Sequence, residues 1–137
     1  GHLALYLIGS APPEGRSYPA WIKHLGIVTD TERKRLIRGA VAVAVPSLHE
    51  SFSLIAIEAM AMGTVVLVNG KSSVLCEHVR EGGGIACYSP DEYLKAGTSL
   101  LDAKKRQEMS IKARSYASRF APDQVKGRLM QSIFGTH

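Results

Sequence analysis

Apolar and polar positions along the chain fall into blocks whose period changes. Leu3 to Ile8 is a continuous apolar run closed by Gly9 and Ser10, the pattern of a strand buried on both faces. Ala11 to Pro19 carries three prolines and a glycine and reads as loop. Trp21 to Leu25 reads as a short second strand ended by Gly26. Thr29 or Asp30 then caps a helix in which Leu36, Ile37 and Ala40 recur on one side while the arginines face water. Val41 to Val45 is a third buried strand, stopped by Pro46.

The alternation then repeats. Ser51 or Ser53 caps a short helix through Met62, with Gly63 at its end, and Thr64 to Val68 is a strand. Asn69 to Ser73 turns into a helix reaching about Glu81; Gly82, Gly83 and Gly84 form a loop; Ile85 to Tyr88 is a last short strand. Ser89 with Asp91 and Glu92 opens another helix through its first-turn acidity. Residues 103 to 119 form a long basic amphipathic helix, and Pro122 begins a final one ending near Phe134. Strands alternating with helices imply the α/β class, a Rossmann-like parallel sheet with helices on both faces. Ligands of such sheets bind outside the carboxyl ends of the strands, which directs attention to the turn after Val45.

Composition narrows the function classes. A chain of 137 residues, 45% hydrophobic and 21% charged, is one ordinary globular domain. No apolar run approaches the roughly 20 residues of a membrane span, and no basic leader precedes the first one. A cytoplasmic protein is expected, with Gly1 and His2 a vector-derived remnant. The net charge of +5 and pI near 9.4 invite a nucleic-acid partner. However, Arg33, Lys34, Arg35 and Arg38, and again Lys104, Lys105, Arg106, Lys112, Arg114 and Arg119, alternate with apolar residues at helical spacing, and no run of aromatics is threaded among them, Tyr116 standing alone. They read as solvated helix faces, and no nucleic acid is expected. Cys76 and Cys87 stand outside any metal-ligand spacing and read as buried free thiols. His24 and His78 read as surface residues.

The chemistry gathers after Val45. Apart from Glu58, the helix from Leu54 to Met62 is apolar on every side, so it is expected to be buried. A carboxylate there requires a partner. That partner is either intramolecular, a backbone amide, a hydroxyl or an arginine, or a ligand. Glu50 lies eight positions earlier on the loop, so both carboxylates border one cleft. Between them the amides of Ser51 to Leu54 form the positive end of a helix, a seat for phosphate oxygens. Two acceptor carboxylates beside an anion-binding amide cluster suit a phosphorylated, polyhydroxylated ligand such as a nucleotide sugar.

At these residues the chain resembles a family. Glu50 to Glu58 is similar to the Glu-x7-Glu motif of retaining glycosyltransferases of GT-B architecture, family 4, the group 1 glycosyltransferases. Pro46-Ser47 before it, Phe52 within it, and Glu58-Ala-Met-Ala-x-Gly63 followed by an apolar strand fit the same signature. So do Leu25-Gly26 through Glu32 and Arg38-Gly-Ala40 upstream, and Gly82-Gly-Gly84, Asp91-Glu-Tyr93 and Arg119-Phe120 downstream.

The resemblance implies one half of a GT-B enzyme, its C-terminal donor-binding domain, over residues 3 to 137. It implies that Glu58 holds the nucleotide ribose, that Glu50 approaches the donor sugar as the catalytic carboxylate, and that Ser51, Phe52, Ser53 and Leu54 contact sugar and phosphates. The nucleobase would lie near Lys23, His24 and Leu25. The implied reaction is retaining hexosyl transfer from a nucleotide-diphosphate sugar to an acceptor hydroxyl, with no metal and no other cofactor, in polysaccharide or glycolipid synthesis.

Departures from the pattern qualify this. Many members have glycine where Ser51 and Ser53 stand, and a proline where Val65 stands. The family's phosphate-binding arginine and lysine, and its acceptor domain, belong to segments before Leu3, so the chain reads as a fragment truncated at its N-terminus and inactive alone. Its partners are then the nucleotide sugar, that acceptor domain and, for a lipid-linked acceptor, a membrane surface. His49, next to Glu50, reads as loop support. The alternative is a non-catalytic nucleotide-binding α/β module; a flavodoxin-like receiver is excluded because Pro46 and Ser47 follow Val45 where an acidic residue is required.

Overall fold

The computed structural model describes residues 3–9, 14–15, 17–49 and 52–120. Its elements run β1 (Leu5–Ile8), β2 (Ile22–Gly26), α1 (Asp30–Gly39), β3 (Ala42–Val45), α2 (Leu54–Ala61), β4 (Val65–Asn69), α3 (Ser73–Gly82), β5 (Ile85–Cys87), α4 (Pro90–Ser99) and α5 (Ala103–Ala117). Gly1 and His2, part of the loop from Ala11 to Pro19, and the helix expected from Pro122 lie outside the described residues.

Each helix begins where a short polar side chain can take one of its free amides. Thr29, Ser53, Ser72, Ser89 and Asp102 are the N-caps, each accepting from a backbone N–H two or three residues on. For α1 the cap is Thr29 rather than Asp30.

Every strand pairing is parallel, and the described residues form two sheets, β1–β2 and β3–β4–β5 in that order. β4 is the centre of the fold. Val66 and Val68 face a core shared with Ile57 and Met60 of α2, Leu75 and Val79 of α3, and Ala113 and Tyr116 of α5. Val65 and Leu67 face the opposite side, with Cys87, and with Ala96 and Leu100 at α4. Helices therefore cover both faces of this sheet, and the carboxyl ends of β3 and β4 open toward the N-termini of α2 and α3.

β1 corrects an expectation. It is a strand, but it is not buried on both faces: Leu5 is 39% and Tyr6 48% exposed. Its partner strand is β2, and neither core cluster contains a residue of β1 or β2.

The triple glycine is not all loop. Gly82 ends α3 against Met60 and the Tyr116 ring, Gly83 caps the helix at φ 77° and donates to the Val79 carbonyl, and Gly84 lies against the Val66 carbonyl. The positive φ at Gly83 is the one of the three that backbone conformation demands.

Candidate functional site

The turn after β3 is held at both ends by the β4–α3 unit. At its start the Asn69 amide donates to the Pro46 carbonyl over 3.1 Å. The Oδ1 of the same Asn69 side chain accepts from the Lys71 N–H, closing a local turn. At its far end the Phe52 carbonyl accepts from His78 Nε2 over 2.6 Å. Pro46 to His49 are exposed between them.

Ser53 then leads into α2 in the left-handed region, at φ 66° and ψ 81°. Among the described residues it is the only non-glycine with positive φ, a conformation that costs an L-residue about 1–2 kcal/mol. This gives a physical reason for glycine at the same place in the resembling family. Ser53 offsets part of the strain by capping: its hydroxyl accepts from the Ala56 N–H. The first-turn amides of Leu54 and Ile55 have no partner among the described residues, so two donors remain at the positive end of the helix.

Glu58 sits one turn further on. Ala56, Ile57, Ala59 and Met60 around it are buried. The Glu58 side chain itself is 29% exposed rather than buried, and it has an intramolecular partner. Arg33 of α1 grips it with both arms, Nη1 to Oε2 at 2.5 Å and Nη2 to Oε1 at 2.9 Å, while Nη2 also reaches Asp30 Oδ1 at 2.6 Å. The expectation that the α1 arginines face water is corrected for Arg33, whose side chain is 26% exposed. Hydrogen bonding to Glu58, then to Asp30, drives the guanidinium pKa far up. Arg33 in turn, with Lys34, holds the Asp30 carboxyl below its ordinary range. A carboxylate has about four acceptor positions, so the two arms of Arg33 leave two toward solvent.

His78 corrects a second expectation. It is 5% exposed and buried, ringed by Phe52, Tyr116 and Phe120 at centroid distances of 5.5, 5.7 and 6.2 Å. A carbonyl can only accept, so Nε2 carries the proton given to Phe52. In the neutral imidazole Nδ1 then accepts from the Tyr116 hydroxyl, 2.6 Å away. Burial pushes the Tyr116 phenol up, which keeps that donor protonated.

Phe52, Ser53, Leu54 and Glu58 thus come together at the carboxyl edge, whereas Glu50 and Ser51 lie outside the described residues. Lys23, His24 and Leu25 stand on β2, Lys23 and Leu25 exposed and His24 half-buried against Tyr18 rather than on the surface. No hydrogen bond or ion pair among the described residues ties them to α2. Cys87 is buried and Cys76 half-buried, both as free thiols. Among the described residues no three His, Cys, Asp or Glu side chains gather as metal ligands, and no helix is long and apolar enough to cross a membrane.

Sequence reasoning missed Arg33 and His78. Both carried a signal. Arg33 lies three and four positions before Leu36 and Ile37, on the edge of the apolar stripe. His78 lies three after Leu75 and four before Gly82, both on the buried side of α3.

The family described as "Glycosyl transferases group 1" matches residues 16–116. The chain is 33% identical to D-inositol 3-phosphate glycosyltransferase 2 of Catenulispora acidiphila, covering 86% of this chain and 31% of that protein. It superposes on sucrose-phosphate synthase of Thermosynechococcus elongatus with a TM-score of 0.71 at 22% identity, over 96% of this chain and 38% of the other. Anabaena HepE, solved in complex with UDP and glucose, gives 0.67 at 22% identity, over 85% and 33%. At that identity the two structures speak for a shared fold, and the chain spans about a third of the length of these proteins.

Proposed function

Because the chain belongs to the group 1 glycosyl transferases, we propose that it forms the donor-binding half of an enzyme that moves a sugar, with retention, from a nucleotide-diphosphate sugar to an acceptor hydroxyl. The observation that carries the reading is the opening of α2: two first-turn amides at the carboxyl edge of β3, followed one turn on by a partly exposed carboxylate. The Leu54 and Ile55 amides suit diphosphate oxygens. The two acceptor positions of Glu58 that Arg33 leaves suit the two ribose hydroxyls, and the bidentate clamp fixes the carboxylate before the ligand arrives.

Glu50 carries the sugar-facing role, at the point where charge develops as the diphosphate departs. Ser51 to Leu54 contact sugar and phosphates, and Lys23 to Leu25 border the base. An acceptor-binding domain and further phosphate-binding cations come from the rest of the protein, no metal takes part, and residues 1–137 alone turn over no nucleotide sugar. HepE, seen with UDP and glucose, makes UDP the first diphosphate to try.

Calorimetry on the complete protein tests the division of labour. Glu58→Gln should weaken UDP binding about ten- to a hundredfold, the loss of a charge-assisted contact. Glu50→Gln should leave UDP affinity nearly unchanged and depress turnover. Equal losses of affinity in both variants would refute the assignment. Nucleotide affinity without turnover of any donor in the complete protein would leave the non-catalytic binding module as the better reading.

A further inference from the structure

We propose that His78 is a positioning residue of this donor site: its Nε2–H holds the Phe52 carbonyl inward so that the next amide, Ser53 N–H, is presented to the cleft. The inference rests on the donor-site reading above and adds a residue that the family motif does not contain.

The argument begins with the peptide plane. No described peptide bond is cis, so the carbonyl of Phe52 and the N–H of Ser53 lie on opposite sides of one rigid unit. His78 lies beneath the turn, in the aromatic core with Tyr116 and Phe120. A carbonyl drawn 2.6 Å toward it turns the amide the other way, toward the open carboxyl edge. The same plane leads into the left-handed Ser53, a conformation unfavourable enough to require an anchor on at least one side.

Packing alone gives no reason for an imidazole here. The cage of rings would accept an apolar side chain of similar volume, whereas a buried imidazole is costly unless both nitrogens are answered. Both are answered, at 2.6 Å each, and by partners of opposite kind. The carbonyl fixes the proton on Nε2 and the Tyr116 hydroxyl answers Nδ1 by donating to it, so α5 supports the tautomer with which α3 steers the turn. Tyr116 is thereby a second positioning residue, acting through His78.

The test uses the complete protein, UDP as probe, and the variants His78→Leu, His78→Gln and Tyr116→Phe. His78→Leu keeps the volume and loses the donor, so UDP binding should weaken about tenfold. His78→Gln keeps an N–H for Phe52 and an acceptor for Tyr116, and should return affinity to within about threefold of wild type. Tyr116→Phe should fall between them. Nitrogen-15 shifts of His78 should report the Nε2–H tautomer.

A folded His78→Leu with wild-type UDP affinity overturns the role of His78. So does a folded His78→Gln as weak as His78→Leu, or a proton found on Nδ1. If His78→Leu does not fold, the tautomer and the Tyr116→Phe affinity decide, and an unchanged affinity in Tyr116→Phe counts against the proposal. A wild-type protein that binds none of UDP, GDP and ADP overturns the donor-site reading itself, and this inference with it.

Discussion

β1 and β4 are written in the same apolar alphabet, Leu5-Tyr-Leu-Ile8 and Val65-Val-Leu-Val68, and they meet different fates. β4 lies between two strands, and each of those four residues is at most 5% exposed. β1 has β2 as its partner, with Leu5 and Tyr6 more than a third exposed. An apolar run specifies that a strand forms. What covers it depends on helices and strands far away in sequence, here α2, α3 and α5 on one side of β4 and α4 on the other. Stability should follow the cover rather than the composition.

The sharpest way to break the comparison is to place the same charge in both strands. Val66→Asp buries an unpaired carboxylate in the two-sided core and should destabilise by more than about 4 kcal/mol, enough to abolish the folded state. Tyr6→Asp should cost no more than about 1 kcal/mol in urea unfolding. Equal losses would mean that β1 is as covered as β4.

A smaller contrast is chemical. Cys87 ends β5 inside the covered sheet, where burial, and then the charge of Glu92, push its thiol up, while Cys76 is half-buried. Iodoacetamide at mildly alkaline pH followed by mass mapping should label Cys76 at least about tenfold faster than Cys87. Faster labelling of Cys87 would show that this side of the sheet opens readily.

The smallest effect belongs to the exposed end of α1, just after β2. The Asp30 carboxyl is held below its ordinary value of 3.8 by Arg33 and Lys34. Its contribution is therefore complete above that value and is lost as pH falls through the depressed folded value. Asp30→Asn should therefore lower stability slightly at neutral pH and rejoin the wild type as pH falls below the depressed value, which flattens the acid limb of the profile; a loss confined to acid pH would contradict the sign.

What was legible in the sequence was local. The caps at Thr29, Ser53 and Ser89, the apolar helix around Glu58 and the strand at β4 all follow from residues within a few positions of one another. The need of Glu58 for a partner was legible too, because an isolated carboxylate in an apolar helix is improbable at any site. Which partner was not. Arg33 is 25 positions away, and a run of basic residues reads as a solvated face until the packing selects one of them. The burial of His78 had a periodic signal in α3, but its bonds to Phe52 and Tyr116 close over 26 and 38 positions. The left-handed Ser53 had no signal in its own residue type, since serine usually avoids that region. The division into two sheets likewise depends on strand pairing, which no single segment encodes.

The two clamps on the turn after β3 have an evolutionary consequence. Asn69 fixes Pro46 and His78 fixes Phe52, and both side chains belong to the β4–α3 unit rather than to the turn itself. Exposed residues between the clamps can be exchanged without disturbing either end, so the stretch from Ser47 to His49 is a replaceable cassette in a constant frame. Descendants of such a chain can change what the cassette recognises by a few substitutions there, with no penalty in the core that carries the fold.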